Sequence, residues 1–151
     1  MLSILFPAAA FWADRKTKAM AREGLQVVTP CPERIAWEPM ENPGFACGRC
    51  KDRPQTVRRV QAACFGLTAL TLLREHPRQN SWERTGAGFL LLGALSNLMD
   101  RLKRGTVTDM LRFPQAPGKL KGLVFNFADL MLLLGAVLTL IGTMRRKKKG
   151  A

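Results

Sequence analysis

The longest nearly uncharged stretch of the chain covers residues 122–144 and reads GLVFNFADLMLLLGAVLTLIGTM, with Asp129 as its one charged residue. A helix that crosses the hydrocarbon core of a bilayer needs about 20 predominantly apolar residues. No other stretch of the sequence reaches that length by itself. Residues 122–144 therefore predict a membrane-spanning helix, and they determine how the shorter apolar stretches are interpreted.

Three shorter uncharged stretches precede it, at 1–13, 60–73 and 85–99. Each becomes long enough to cross a bilayer if a turn of polar residues lies among the headgroups, where Lys and Arg side chains can snorkel. The prediction is an all-α integral membrane protein of one domain with four transmembrane helices. We expect these helices at about 1–18, 58–75, 84–101 and 122–144 of the 151 residues.

The alternative is a soluble helical bundle. Such a bundle would have to bury the runs 89–92 and 130–134, which are apolar on all sides, within a very small domain. A cleaved secretory signal at the N-terminus is disfavoured, because no Lys or Arg precedes the first apolar run. The membrane interpretation with a retained first helix is therefore preferred.

The segment at about 19–57, between the first two predicted helices, has a different composition. Pro, Gly and Cys accumulate there and helical periodicity is lost, so we expect a loop or a short-stranded region. Residues 25–28 and 34–37 are its candidate strands.

The formal net charge of +13 has two explanations. A basic chain can bind nucleic acid through phosphate contacts, or it can carry Lys and Arg in the flanks of membrane spans. The chain has no Tyr, and its Phe residues lie mostly in apolar runs. The basic patch with interleaved aromatic residues that single-stranded nucleic acid requires is therefore missing, and no nucleic-acid partner is expected.

The basic tail at 145–149 is interpreted as a cytoplasmic stop signal. With four spans, the N-terminus and the 74–84 loop are then cytoplasmic, and the long segment after the first span is extracytoplasmic. Charge alone does not support this orientation. The outer segment 14–59 carries ten Lys and Arg residues, against three in the 74–84 loop and five in the tail.

Ionisable and amide side chains lie at the edges of the last two apolar stretches. Asn97 and Asp100 are three residues apart, as are Asn126 and Asp129, and on a helix each pair shares a face. Two carboxylates brought together share a proton, so one can act as a general base on water while the other polarises a carbonyl. Paired carboxylates are the chemistry that the sequence favours most.

Other catalytic groups are weaker candidates. His76 is the one histidine and lies in a polar loop, and Ser96 has no base nearby except Asp100. Cys47 and Cys50 form a C-x-x-C with Cys31 nearby, and a disulfide, half of a metal site and reduced thiols all remain open. Cys64, inside an apolar run, is expected to pack in the core.

Five short blocks, in order along the chain, resemble the motifs of the lipoprotein signal peptidase (signal peptidase II) family. The family patterns are D-x-x-x-K, N-x-G-A-A-F, G-A-L-G-N-x-x-D-R, G-x-V-x-D-F and F-N-x-A-D. The corresponding blocks are DRKTK at 14–18, NPGFA at 42–46, GALSNLMDR at 93–101, GTVTD at 105–109 and FNFAD at 125–129. One such block is weak evidence, but five in order are strong.

The resemblance implies a catalytic dyad of Asp109 and Asp129. It implies supporting roles for the polar side chains of the same blocks: a polar shell around the dyad, help from the first helix in shaping the site, and contact with the substrate backbone. These residues are Asp14, Lys18, Asn42, Asn97, Asp100, Arg101 and Asn126. Asp100 is the second choice for a catalytic carboxylate, although a structural ion pair is the preferred interpretation.

The resemblance also implies four transmembrane helices, a small extracytoplasmic β-cradle and an active site facing the extracytoplasmic side of a bacterial inner membrane. The implied reaction is hydrolysis before the lipid-modified cysteine of a diacylglyceryl prolipoprotein, by a monomer in contact with membrane lipid and without metal or organic cofactor. Ser96 replaces a glycine of the family and is expected to crowd helix packing. The rival interpretation is a family member that binds lipoprotein or lipid without cleaving it.

Overall fold

The computed structural model describes residues 2–29, 31–44, 50, 52–75 and 79–149. It consists mainly of four helices, with a small sheet of three strands. In chain order the elements are α1 (Leu2–Arg22), β1 (Ala36–Asn42), α2 (Pro54–Glu75), α3 (Ser81–Arg104), β2 (Val107–Arg112), β3 (Val124–Phe125) and α4 (Phe127–Lys149). The prediction of four helices with a small sheet is confirmed.

The helices overlap the four predicted segments, with one informative difference. The fourth helix begins at Phe127 rather than near residue 122. The residues before it form a 3-10 helix at Gly118–Gly122 and the short strand β3. Among the described residues, only the helical segment Phe127–Arg146 is long and apolar enough by itself to cross a membrane. It stays a prediction that all four helices cross a membrane.

The sheet has the order β1-β2-β3, and both pairs are antiparallel. Its central strand, β2, comes from the segment after α3, and only β1 comes from the predicted loop 19–57. The candidate strand at 25–28 is wrong, and the one at 34–37 overlaps β1 only at its last two residues. Strand pairing is a long-range property, so apolar composition alone could not identify the partners.

Helices α3 and α4 pack closely in antiparallel fashion through small residues. A Cβ atom added at Gly93 would lie 2.8 Å from the carbonyl oxygen of Ala128, and one added at Gly135 would lie 2.8 Å from that of Gly86. The space between the two backbones therefore admits no side chain at these positions. Helix α1 runs parallel to α3, because Gly88 lies against Pro7 near the start of α1 while later residues of both helices also meet.

Large apolar side chains remain exposed on the outer faces of α1, α2 and α4. Examples are Ile4, Phe6, Leu67, Leu73, Leu133 and Leu140. Cys64 is also exposed, so its predicted place in the core is wrong. Cys31 and Cys50 are exposed and free, whereas Cys47 and His76 lie outside the described residues.

Candidate active site

The first turn of α4 presents Asp129 through a reciprocal pair of hydrogen bonds. The Asn126 side chain accepts a hydrogen bond from the Asp129 backbone N–H at 3.0 Å, and Asp129 Oδ2 accepts one from the Asn126 N–H at 3.1 Å. Such an arrangement satisfies two of the unpaired N–H groups at a helix N-terminus. Asn126 therefore caps α4 from outside the helix, whereas the sequence placed it inside.

Asp109 reaches the same point from β2. Its Oδ1 accepts a hydrogen bond from Asn126 Nδ2 at 2.6 Å, and its Oδ2 accepts one from Asn42 Nδ2 at 3.1 Å. Asn126 thus contacts both carboxylates of the predicted dyad. Asn42 ends β1 and positions Asp109 directly, a contact that its predicted role toward substrate did not include.

Asp129 is held by a third amide. Asn97 of α3 donates a hydrogen bond from Nδ2 to Asp129 Oδ1 at 3.0 Å. The Asn97 Oδ1 accepts one from the buried ammonium group of Lys18 at 2.7 Å. Because the ammonium can only donate, this contact fixes the direction of the amide. Each carboxylate of the pair therefore receives two N–H donors, one on each oxygen.

Asp109 is only 3% exposed. Its burial, and then the neighbouring charge of Asp129, raise its pKa to about 6, against the opposing effect of its hydrogen bonds from Asn42 and Asn126. A carboxyl group with that pKa keeps its proton at a higher pH than an ordinary aspartate. Asp109 can therefore donate a hydrogen bond under mildly acidic conditions.

Arg101 connects three elements beside the pair. Its guanidinium donates to the carbonyl oxygens of Asn42 at 3.2 Å and Gly44 at 2.6 Å, and its Nε donates to Gln61 Oε1 at 2.6 Å. The planar fork of arginine suits such simultaneous contacts. Arg101 thereby holds the end of β1, which carries Asn42, against α3 and α2.

A buried ion cluster lies behind the pair, between α1 and α3. The Lys18 ammonium contacts Asp14 at 2.9 Å and Asp100 at 3.2 Å, in addition to Asn97. Arg15 contacts Asp100 at 2.6 Å, and Arg22 lies at the edge of the cluster, 4.0 Å from the same carboxylate. Three cations therefore face two anions, and both buried carboxylates are paired, which matters because an unpaired buried charge costs several kcal/mol.

This cluster also supports α4. Asp14 Oδ1 accepts a hydrogen bond from the backbone N–H of Ala128 at 2.8 Å. A side chain of α1 therefore satisfies a free N–H group in the first turn of α4, next to Asp129. Asp100, the second choice for a catalytic carboxylate, lies in the ion cluster and does not line the cavity described below.

A cavity of about 480 Å³ opens onto the two carboxylates. Six of the nine predicted site residues line it, and the other three form the adjoining ion cluster. The six are Asn42, Asn97, Arg101, Asp109, Asn126 and Asp129. Apolar side chains such as Val107, Leu123 and Phe125 cover much of the remaining wall.

The structure thus connects all nine residues by direct contacts, some of which involve a backbone group. The sequence did not predict the contributions of Arg15, Gln61 and Ser96. Arg15 and Ser96 lie inside the motif blocks, but Gln61 has only its polarity within an apolar stretch as a signal. Among the described residues, no group of three or more His, Cys, Asp or Glu side chains could hold a metal ion.

Comparison with known proteins identifies the family. The sequence model described as Signal peptidase (SPase) II matches residues 6–145. The chain belongs to the signal peptidase II family. A curated lipoprotein signal peptidase of Acaryochloris marina is 31% identical over 150 residues, covering 92% of this chain and 86% of the relative. The lipoprotein signal peptidase of Chlorobaculum tepidum is 27% identical over 150 residues, covering 93% of this chain and 92% of the relative.

The fold of this signal peptidase II family member is also that of a solved bacterial membrane enzyme, determined by the in meso method at 2.3 Å resolution. The TM-score is 0.79 at 20% identity, over 99% of this chain and 92% of that one. A second in meso structure of a bacterial membrane enzyme, at 1.9 Å, gives a TM-score of 0.73. Family membership supports a protease, and the structural likeness concerns the fold.

Proposed function

We propose that this protein is a membrane aspartic endopeptidase that cleaves the signal peptide of diacylglyceryl-modified prolipoproteins immediately before the lipidated cysteine. One observation carries the proposal. Asp109 and Asp129 line one cavity, and Asn126 donates a hydrogen bond to each carboxylate, from its side-chain amide to Asp109 and from its backbone N–H to Asp129. Family membership gives this pair its expected chemistry, and the curated relatives are named lipoprotein signal peptidases.

The proposed reaction uses one proton shared by the two carboxyl groups. The ionised carboxylate, assigned to Asp129, takes a proton from water as the water oxygen attacks the scissile carbonyl carbon. Protonated Asp109, whose pKa is raised to about 6, donates to the carbonyl oxygen. When the tetrahedral intermediate collapses, the C–N bond breaks, the leaving amine takes the proton from Asp129, and a hydroxyl group of the intermediate returns its proton to Asp109, which restores the shared proton. No atom beyond substrate and water is needed.

Four membrane spans are proposed from helix length and surface character. The helices contain 21, 22, 24 and 23 residues, which at 1.5 Å per residue makes each about 31–36 Å long. A bilayer core is about 30 Å thick. Their exposed apolar faces would be costly in water and are favourable against lipid. An extracytoplasmic site then follows from the predicted cytoplasmic tail.

The lipid anchor of the substrate explains how a small cavity can be selective. The diacylglyceryl group would stay in the bilayer while the peptide segment before the modified cysteine enters the cavity beside the dyad. The partly apolar wall of the cavity suits such a segment at the membrane surface. A monomeric enzyme without a nucleic-acid partner remains a prediction.

Cleavage by the purified protein tests the proposal. We expect it to cut a synthetic diacylglyceryl prolipoprotein in detergent or lipid, and to leave the same precursor with Cys replaced by Ala intact. Asp109→Asn and Asp129→Asn should abolish cleavage, whereas Asp52→Asn, which changes an exposed carboxylate, should not. A folded parent that binds lipidated precursors without cutting any of them would refute the protease and favour the binding alternative.

A further inference from the structure

Ser96 lies on α3, its side chain is fully buried, and its hydroxyl contacts residues of the ion cluster. Its hydroxyl donates a hydrogen bond to Asp14 Oδ2 at 2.5 Å. It also accepts one from Arg15 at 3.2 Å. The hydroxyl lies where α1 packs against α3, and whether this side chain crowds that packing stays a prediction. Ser96 is therefore part of a hydrogen-bonded network.

The network leads from Ser96 to Asp129 by two routes. In the first, the Ser96 hydroxyl restrains one oxygen of Asp14 while the other oxygen accepts from the Ala128 N–H in the first turn of α4. In the second, the same Asp14 oxygen contacts Lys18, which orients Asn97 toward Asp129. Both routes to Asp129 therefore pass through the Asp14 carboxylate, whose Oδ2 contacts Ser96 and Lys18.

We propose that Ser96 is a positioning residue for the dyad: its hydroxyl holds Asp14 in the orientation that supports the first turn of α4. Without the hydroxyl, Asp14 Oδ2 keeps only the Lys18 ammonium, and Asp14 is free to turn toward it. The Ala128 N–H then loses its acceptor for part of the time. Ser96 does not line the cavity, so the loss acts on the placement of Asp129 and leaves the substrate-binding wall unchanged.

The catalytic consequence of this inference rests on the proposed function, whereas its structural consequence does not. The test compares Ser96→Ala with Thr143→Ala as the matched control. Thr143 also donates a hydroxyl hydrogen bond to a buried carboxylate, that of Glu83 at 3.1 Å, but at the opposite end of α4. Ser96→Thr restores a hydroxyl at the original position.

Two measurements decide the proposal. On a diacylglyceryl prolipoprotein, Ser96→Ala should lower kcat about tenfold with KM unchanged, Ser96→Thr should recover part of the loss, and Thr143→Ala should match the parent. Hydrogen exchange of the Ala128 amide, followed by NMR in detergent, should become faster in Ser96→Ala and stay unchanged in Thr143→Ala. A parent-like kcat and parent-like exchange in Ser96→Ala would overturn the assignment.

The two measurements separate the two proposals. If the parent cleaves nothing, the proposed function fails, and the exchange of the Ala128 amide alone decides whether Ser96 holds Asp14. If the parent cleaves and Ser96→Ala loses kcat without faster exchange, the positioning role through Asp14 is wrong. Equal losses in Ser96→Ala and Thr143→Ala would also overturn it, because both would then reflect general destabilisation.

Discussion

Replacing Asp109 by Asn should abolish catalysis and at the same time stabilise the protein at neutral pH. The side chain is buried, and burial together with the Asp129 charge raises its pKa from 3.8 to about 6. An acid whose pKa is higher in the folded state binds its proton more tightly there than in the unfolded state. Folding stability is therefore lost as pH rises from 3.8 through about 6, and the loss is complete above that value.

The size of this stabilisation follows from the two pKa values of Asp109, 3.8 and about 6. At about 1.4 kcal/mol for each pKa unit, the ionised Asp109 costs the folded state about 3 kcal/mol at pH 7.5. Asn carries no charge, but it can accept a hydrogen bond at only one of its two terminal atoms. One of the donors from Asn42 and Asn126 then loses its acceptor, at a cost of about 1 kcal/mol. The expected net gain is about 2 kcal/mol at pH 7.5.

Thermal unfolding in detergent at pH 7.5 and pH 4 is the appropriate assay. A gain of about 2 kcal/mol corresponds to a rise in Tm of about 4–8 °C, and the rise should shrink toward zero at pH 4. Asp52→Asn, at an exposed site, should change Tm at neither pH. A lower Tm than the parent at pH 7.5, or an equal gain at both pH values, would refute the reasoning about Asp109.

Three further predictions concern the dyad and the helix packing. The value of kcat/KM should fall as pH rises above about 6, because the free enzyme loses the proton held on Asp109; a profile that stays flat to pH 9 would contradict this. Asn126→Ala should lower kcat at least about a hundredfold. Asn80→Ala, which removes the N-cap of α3, should cost about 1 kcal/mol of stability and leave kcat unchanged. Steady-state kinetics and thermal unfolding of both variants check this contrast, and equal kcat values in the two variants would count against it. Gly86→Ala should destabilise the protein by about 1–3 kcal/mol, since the added Cβ would lie 2.7 Å from a carbonyl oxygen of α4. Gly66→Ala, on the open face of α2, should be neutral or stabilising by about 0.5–1 kcal/mol. Thermal unfolding of both variants in detergent checks this, and similar Tm values would show that α3 and α4 do not pack as described.

The helices and the composition of the site could be predicted from local information. Uncharged stretches locate the helices because each helix satisfies its own backbone hydrogen bonds and needs only an apolar surface. The resemblance of short motif blocks also singled out the nine polar residues that the structure connects. The interpretation of residues 122–126 as helix was wrong because an Asn three residues before an Asp can cap a helix as well as share its face.

The arrangement of the carboxylates required the tertiary structure. Asp109 faces the cavity because β2 pairs with β1, about 70 residues earlier, in a register that places Met40 opposite Asp109. A slip of one residue would turn Asp109 to the other face of the sheet. Nothing local distinguishes β1 from the rejected strand at 25–28, since pairing depends on a distant partner.

The sequence by itself determined that the chain has four helices, a helical surface suited to lipid and two aspartates of the signal peptidase II motifs. Only the tertiary structure decided which charges neutralise one another and which groups orient the dyad. Lys18 contacts the Asp100 carboxylate and the Asn97 amide because α1 and α3 run parallel and in contact. Ser96 enters that network for the same reason. Burial and charge balance depend on all neighbours in space at once, and for these residues the neighbours lie about 80 positions apart in the chain.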